Sequence, residues 1–142
     1  MLHHVRVTEA AKLAVVLRAD LETWQKLNVT AFVVSGISRR FPELVGEPYM
    51  DASETTYLSM FVTPVLVFAG DQAAVRRAFD RAMARELPVS LFTDELFSTG
   101  NDVDNRAAVA RVATVDLVLA GFAVAGDRKL VDKALDKLRL HP

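Results

Sequence analysis

The chain alternates between short, continuous apolar runs and longer segments in which apolar residues recur at helical spacing. Four runs have the character of strands buried on both faces, and they cover residues 13–17, 65–68, 89–92 and 115–124. Strands covered on both faces are typical of parallel sheets, because crossover helices lie on both sides of such sheets. The pattern therefore predicts four buried strands that are joined by helices.

Helical spacing predicts three helices between and after these strands. The first runs from Thr23 to about residue 38, the second opens at Gly70-Asp71, and the last follows Asp127. Asp71 and Asp127 precede their helices directly and are predicted to cap them, as is Asp20 before the first helix.

The remaining segments fit one α/β domain that spans residues 1–142, with residues 1–11 as a loosely ordered N-terminal extension. Residues 45–58 hold a short hairpin or an irregular excursion, residues 95–106 a polar loop, and residues 107–113 a helical turn. The order of elements predicts a three-layer α/β/α fold whose four-stranded sheet is mixed but mostly parallel.

The first helix carries no charge from Leu27 to Ser38, although a surface helix normally has a charged side. A helical wheel separates two stripes on it. The stripe expected to face the sheet contains Trp24, Leu27, Asn28, Ala31, Phe32 and Ser35. The second contains Lys26, Thr30, Val33 and Ile37, and we expect it to be covered by another part of the chain, a second subunit or a ligand.

Composition excludes several classes of function. The net charge is -1 and basic residues form no stripe, so there is no strong nucleic-acid signal. Absence of cysteine removes thiolate chemistry and suits a cytoplasmic protein, and no apolar segment is long enough for a membrane span. The histidines, His3, His4 and His141, lie at the chain ends, so neither histidine catalysis nor a metal or cofactor is expected unless a terminus folds back.

Two resemblances are carried by specific segments. "LAVVLRADLETWQKLNVTAFVV", "LPVSLFTDE" and the closing "VDLVLAGFAVAGDRKLVDKALDKLRL" resemble, in order and spacing, the type II peptidyl-tRNA hydrolases. "KLNVTAFVVSG", "GEPYMDA", "YLSMFVTPVLVF", "TDELFSTGNDVDNR" and the final helix resemble more closely an uncharacterised family, domain of unknown function 2000. The resemblance implies the fold of the hydrolases.

The hydrolase resemblance also implies a changed catalytic stripe. The hydrolases carry Lys, Gln and His on the second stripe of the first helix, and the matching residues here are Lys26, Thr30 and Val33. Lys26 is retained, but Val33 cannot transfer a proton. Asp94 matches the aspartate that follows the third strand. The loss of two polar groups and of basic character argues against peptidyl-tRNA hydrolysis in its usual form.

Each candidate residue has a functional and a structural interpretation. Lys26 is either a site cation or a lysine that reaches solvent, and Asn28 either holds a loop or points into a pocket. Thr93 and Asp94 follow a strand at the end where open α/β sheets collect ligands, but they also suit a loop cap.

Residues near the predicted hairpin and in the polar loop also have both a functional and a structural interpretation. Tyr49, Asp51 and Tyr57 either line the mouth of a pocket or pair across a hairpin. The acidic and amide side chains of residues 101–105 are typical of turns, and they lack the calcium-loop pattern.

The sequence therefore predicts an uncharacterised cytoplasmic domain, homodimeric, that binds a small molecule or acts as an accessory domain. Its cleft is lined by Lys26, Asn28, Thr30, Tyr49, Tyr57, Thr93 and Asp94. The alternative is a hydrolase that acts on a peptidyl-tRNA-like ester or amide through Lys26 and Asp94 without an imidazole.

Overall fold

The computed structural model describes residues 11–142, which form seven strands and four α-helices. The strands are β1 Ala11–Arg18, β2 Tyr49–Met50, β3 Thr56–Tyr57, β4 Val65–Gly70, β5 Val89–Thr93, β6 Leu119–Asp127 and β7 Arg139–Leu140. The helices are α1 Thr23–Arg40, α2 Gln72–Ala84, α3 Asp102–Ala110 and α4 Arg128–Ala134. The predicted N-terminal extension lies outside the described residues, except for Ala11, which begins β1.

Five strands form one mixed sheet in the order β5-β6-β1-β4-β7, and β2 pairs with β3 in a separate hairpin. β1 and β4 are parallel, in a register that places Val15 opposite Val67. The pairings of β6 with β1, of β6 with β5, and of β7 with β4 are all antiparallel.

The prediction of a four-stranded, mostly parallel sheet is therefore wrong in strand number and in direction. A continuous apolar run indicates that both faces of a strand are covered, and this holds for β6 although it runs antiparallel to both its neighbours. β7 has only two residues, which is too short to show a period. β6 begins at Leu119 rather than Val115, because a 3₁₀ turn occupies Thr114–Asp116.

The sheet separates two hydrophobic cores, and β1 contributes alternate side chains to both. Ala14 and Val16 face α2 and α4, whereas Val15 and Leu17 face α1. On the α2 side, Phe79 of α2 meets the ring of Phe122 of β6 edge to face, with centroids 5.8 Å apart.

The predicted caps of α2 and α4 are confirmed. Asp71 Oδ1 accepts a hydrogen bond from the N–H of Ala74 at 2.8 Å, and Asp127 Oδ1 accepts one from the N–H of Lys129 at 2.8 Å. Side-chain oxygens at these positions satisfy N–H groups that have no partner within the first turn.

The predicted polar loop at residues 95–106 is wrong in its second half. A 3₁₀ turn covers Asp94–Ser98, and α3 then begins at Asp102. Asn101 Oδ1 accepts from the N–H of Asp104 at 2.8 Å and caps the helix. The Asn and Asp residues that suggested a loop are those that favour a helix N-terminus.

Candidate functional site

The face of α1 that contacts the sheet is the second stripe, which was predicted to be covered by another part of the chain, a second subunit or a ligand. Val29, Val33 and Ile37 of α1 are buried, whereas Trp24 and Phe32 are 60% and 54% exposed. The predicted assignment of the two stripes is therefore reversed.

Small side chains on β6 explain this orientation. Ala123 and Ala125 belong to the core under α1, and a Cβ added to Gly121 would lie 3.0 Å from Val29 Cγ1. α1 thus packs close to a shallow surface, which short β-branched side chains fit. The larger rings of α1 point away from this surface.

Four aromatic rings form a continuous row beside the outer face of α1. The centroids of Trp24 and Phe97 are 5.8 Å apart, those of Phe97 and Phe92 are 4.9 Å apart, and those of Phe92 and Phe32 are 5.9 Å apart. These separations are typical of favourable edge-to-face and tilted contacts. The row joins α1 to β5 and to the 3₁₀ turn that follows β5.

A cavity of about 350 Å³ lies over this row of rings, which we call the aromatic cavity. Its size falls within the range of small-molecule sites. One wall is apolar and consists of Trp24, Phe32, Phe92, Leu96 and Phe97. The rest of the lining, which we call the polar rim, consists of Asn28 of α1 and, from the segment after β5, of Thr99, Gly100, Asn101, Asp102 and Asn105.

The rim is held by hydrogen bonds within residues 96–105. The Thr99 hydroxyl donates to the carbonyl of Leu96 at 3.0 Å and also contacts Asn105 Oδ1. Asn101 Nδ2 donates to Asp104 Oδ2 at 3.0 Å. The polar rim therefore has a defined shape without any contribution from a ligand.

Asn28 is the polar group that α1 itself contributes. It lies one turn after Trp24 and one turn before Phe32, at the rim of the aromatic cavity, and it is exposed. Among residues 11–142, its amide has no hydrogen-bond partner. The prediction that Asn28 faces the sheet is wrong, because its side chain is exposed on the outer side of α1.

Thr93 and Asp94 belong to a different region, the end of the sheet where β1 and β5 finish. Thr93 is 5% exposed, and Asp94 Oδ1 accepts from Arg18 Nη1 at 2.8 Å. Arg18 Nε donates to Asp20 Oδ1 at 2.7 Å, and the same guanidinium reaches the carbonyl of Leu119 at 3.0 Å. These contacts tie β1 to β5 and β6.

The charges of this group perturb one another. The hydrogen bond with Asp94 is the main reason that the pKa of Arg18 is raised, and the bond with Arg18 holds the pKa of Asp20 below its ordinary value. Asp20 does not cap α1, whose N-cap residue is Glu22, so that prediction is wrong. The Arg18 ion pair holds the Asp94 carboxylate in place at this end of the sheet.

Lys26 lies beside the C-terminal segment. Lys26 Nζ is 3.1 Å from His141 Nε2, and the N–H of His141 donates to the carbonyl of Val67 at 2.8 Å. An ammonium can only donate, so Nε2 accepts and Nδ1 carries the proton, directed at the Pro142 oxygen 3.1 Å away. A terminal histidine thus does fold back, contrary to the expectation from its position. Thr30 Oγ1 donates to the carbonyl of Lys26 at 2.8 Å.

Tyr49 and Tyr57 lie opposite each other in the β2–β3 hairpin. The Tyr57 hydroxyl donates to Asp51 Oδ2 at 2.8 Å, which lowers the pKa of Asp51 and raises that of Tyr57. Asp51 Oδ1 accepts from the N–H groups of Ser53 and Thr55 and so shapes the turn. Of the two alternatives predicted for residues 45–58, a short hairpin or an irregular excursion, the hairpin is the one that forms, and neither tyrosine lines the aromatic cavity.

Of the predicted site residues, only Asn28 lines the aromatic cavity. Sequence reasoning assigned Trp24 and Phe32 to the core, did not single out Phe92 or Phe97, and interpreted Asn105 as part of a turn. The available signal was the spacing of Trp24, Asn28 and Phe32, which puts an amide between two rings on one face of a helix. Nothing in the sequence indicated that this face stays open.

Comparisons with known proteins agree with the sequence resemblance at the level of family. The profile of the family DUF2000, described as protein of unknown function, matches residues 11–142, and the chain belongs to this family. It is similar to a solved structure of a protein of unknown function, Atu0240, from Agrobacterium tumefaciens strain C58. The TM-score is 0.91 and the identity 41%, over 94% of this chain and 98% of the other. No curated protein matches the chain.

Two further findings concern residues 11–142. No helix in this part of the chain has both the length and the apolar character that a membrane crossing requires. Its His, Asp and Glu side chains form no group of three that could hold a metal ion.

Proposed function

We propose that the domain binds a small, largely apolar molecule in the aromatic cavity. The observation that carries this proposal is the row of four rings facing a polar rim across about 350 Å³. Rings of this kind supply large apolar contact area, and a few convergent polar groups fix the orientation of a ligand.

Exposure of the rings also supports binding. Trp24 and Phe32 leave more than half of their surfaces open, although a folded chain gains free energy by burying such side chains. A ligand that covers them would recover part of this free energy. The polar rim is already ordered by its own hydrogen bonds, so binding orders few additional groups.

Trp24 provides the test, because it is the one tryptophan of the sequence. Its indole N–H gives a single nuclear magnetic resonance signal that lies at the cavity. We expect members of a neutral aromatic fragment library to shift this signal in a saturable way.

Two substitutions on α1 decide where such binding occurs. Phe32→Ala removes a ring of the cavity wall and should weaken binding about tenfold or more, whereas Leu27→Ala removes an exposed side chain outside the cavity and should leave it unchanged. If no fragment gives a saturable shift at millimolar concentration, the proposal is wrong.

A hydrolase on the peptidyl-tRNA hydrolase-like fold remains the second proposal. Its support is the sequence resemblance and the retention of Lys26, which now has an imidazole at 3.1 Å. Asp94 is engaged by Arg18 and is the weaker part of this proposal. Turnover of peptidyl-tRNA or of an ester and amide panel that disappears in both Lys26→Ala and Asp94→Asn would favour it over a binding domain.

Homodimer formation and a cytoplasmic location are also proposals. Leu27 on α1 and Leu58 after the hairpin are 67% and 89% exposed, which favours contact between two copies. Sedimentation that gives a monomer at high concentration would remove the dimer. The cytoplasmic location rests on the absence of cysteine.

A further inference from the structure

We infer that the aromatic cavity selects an uncharged planar heterocycle with a lactam edge, meaning a ring N–H beside a ring carbonyl. This inference rests on the proposed function and names the chemical class of its ligand. Three features of the cavity carry it: the shape of its wall, the chemistry of Asn28 and the charge of its rim.

The wall favours a flat ligand. The row of rings from Trp24 to Phe32 presents aromatic surface, and flat rings gain from stacked and edge-to-face contact with such surface. Stacking of a heterocycle on exposed aromatic side chains is a general way to bind bases and similar rings.

Asn28 supplies a donor and an acceptor side by side. Its amide has an oxygen that accepts and a nitrogen that donates, and it rises from α1 between the two rings of Trp24 and Phe32. A lactam edge presents the complementary pair, so that two parallel hydrogen bonds form. Asparagine reads the donor–acceptor edge of adenine in this manner.

The charge of the rim disfavours an anion. Among residues 11–142, no lysine, arginine or histidine lines the cavity, and the one charged lining residue is Asp102, a carboxylate. Arg106 Nε donates to Asp102 Oδ2 at 2.8 Å, so this cation is already paired. A phosphate or carboxylate would therefore enter without a free cation to bind it, whereas a neutral ring needs none.

The experiment compares three matched probes on the full chain. They are 2-pyridone, which has the lactam edge, N-methyl-2-pyridone, in which a methyl group blocks the donor, and benzoate, which is an anion of similar size. Titration is followed by the Trp24 indole N–H signal. We expect 2-pyridone to bind about fivefold tighter than N-methyl-2-pyridone, the value for one lost hydrogen bond, and benzoate to bind weakest.

Asn28→Leu tests whether the amide of Asn28 causes the preference for 2-pyridone over N-methyl-2-pyridone. Leucine has a similar size, and Asn28 is exposed, so the variant should keep the amide spectrum of the parent chain. It should bind the two pyridones equally. Ser35→Ala, a substitution farther along the same stripe of α1 and outside the cavity lining, should keep the fivefold preference.

The outcomes separate this inference from the proposed function. Equal binding of all three probes, or tighter binding of benzoate, overturns the lactam selectivity and leaves a cavity that binds aromatic molecules. A fivefold preference that survives in Asn28→Leu also overturns it. If no probe moves the Trp24 signal, the inference fails, whereas the proposed function fails only if the whole fragment library is also silent.

A second pair of probes asks whether a phosphate belongs to the ligand. Hypoxanthine is a fused lactam, and inosine 5′-monophosphate carries the same ring with a phosphate. We expect the phosphate to give no gain in affinity, because no cation lines the cavity in the part of the chain that the structure describes. A gain of tenfold or more would show that a nearby cation takes part and would contradict the uncharged class.

Discussion

The two faces of the sheet are covered to different degrees. On one face, α2 has an ordinary amphipathic pattern, with Val75, Ala78, Phe79 and Ala82 buried and its arginines outside. On the other face, α1 buries a narrow stripe of β-branched residues and leaves Trp24, Leu27 and Phe32 exposed. The α2 side therefore buries its apolar residues, whereas the α1 side leaves large apolar side chains exposed.

The first and largest test of this contrast compares two phenylalanines. Phe79 is 1% exposed and contacts Phe122, so Phe79→Ala should lower the free energy of unfolding by about 3–5 kcal/mol. Phe32→Ala loses a half-exposed ring and its contact with Phe92, and should cost about 1 kcal/mol. Urea denaturation followed by circular dichroism measures both, and similar losses would contradict the contrast.

Close packing of α1 on β6 gives the next test. A Cβ added to Gly121 would lie 2.6 Å from the carbonyl oxygen of Val16 and 3.0 Å from Val29 Cγ1, so Gly121→Ala should destabilise the chain by about 1–3 kcal/mol. Gly100 has no atom within 4 Å of the corresponding position, and Gly100→Ala should be neutral or slightly stabilising. A lowered thermal midpoint for Gly100→Ala, together with an unchanged one for Gly121→Ala, would contradict this prediction.

The cap of α2 gives a smaller effect. Asp71→Ala removes the acceptor for the Ala74 N–H and should cost about 1 kcal/mol of stability. Asp71→Asn keeps an oxygen acceptor and should retain most of that stability, so the two variants separate capping from charge. If chemical denaturation gave the same loss in the free energy of unfolding for Asp71→Ala and Asp71→Asn, the hydrogen bond to Ala74 would not be the cause.

The smallest effect concerns the hairpin on the α1 side, where Tyr57 and Asp51 are exposed. The pKa of Asp51 is lowered in the folded chain, so its contribution to stability is present above the ordinary value of 3.8 and is lost as the pH falls through the folded pKa. The pKa of Tyr57 is raised, so its contribution is present below 10.0 and is lost as the pH rises through the folded value.

Tyr57→Phe should therefore raise the pKa of Asp51 toward its ordinary value, since it removes the hydroxyl that donates to the carboxylate. A titration of the Asp51 side-chain carbon signal measures this. Tyr49→Phe, the substitution at its cross-strand neighbour, should leave the Asp51 titration unchanged. An unchanged Asp51 pKa in Tyr57→Phe would argue against the hydrogen bond.

Local signals in the sequence predicted several strands and the α2 side of the sheet well. Apolar runs located β1, β4 and β5, and one clear stripe oriented α2. α1 has two apolar stripes, and the choice between them depended on Gly121, Ala123 and Ala125, which lie far away in the chain. Strand direction likewise has no local signal, because burial on both faces looks the same for parallel and antiparallel strands.

The aromatic cavity was harder to predict, because it also depends on residues that are far apart in the chain. The aromatic cavity joins residues 24–32 to residues 92–105, and only the tertiary fold brings them together. The contact of Lys26 with His141 likewise depends on β7, whose two residues give no pattern. The family and the similar solved structure agree with a mixed α/β fold and leave the chemistry open, since neither has an assigned function.

The shortest strand of the main sheet also covers part of a sheet edge that would otherwise be exposed. β7 pairs Leu140 with Phe68 and Arg139 with Ala69, and so occupies N–H and carbonyl groups along the outer margin of β4. A bare margin with the sequence Val65-Leu66-Val67-Phe68 would be a template for cross-β growth, because it is apolar, β-branched and uncharged. Pairing with β7 therefore covers the margin of β4 at Phe68 and Ala69, next to the most apolar part of this strand.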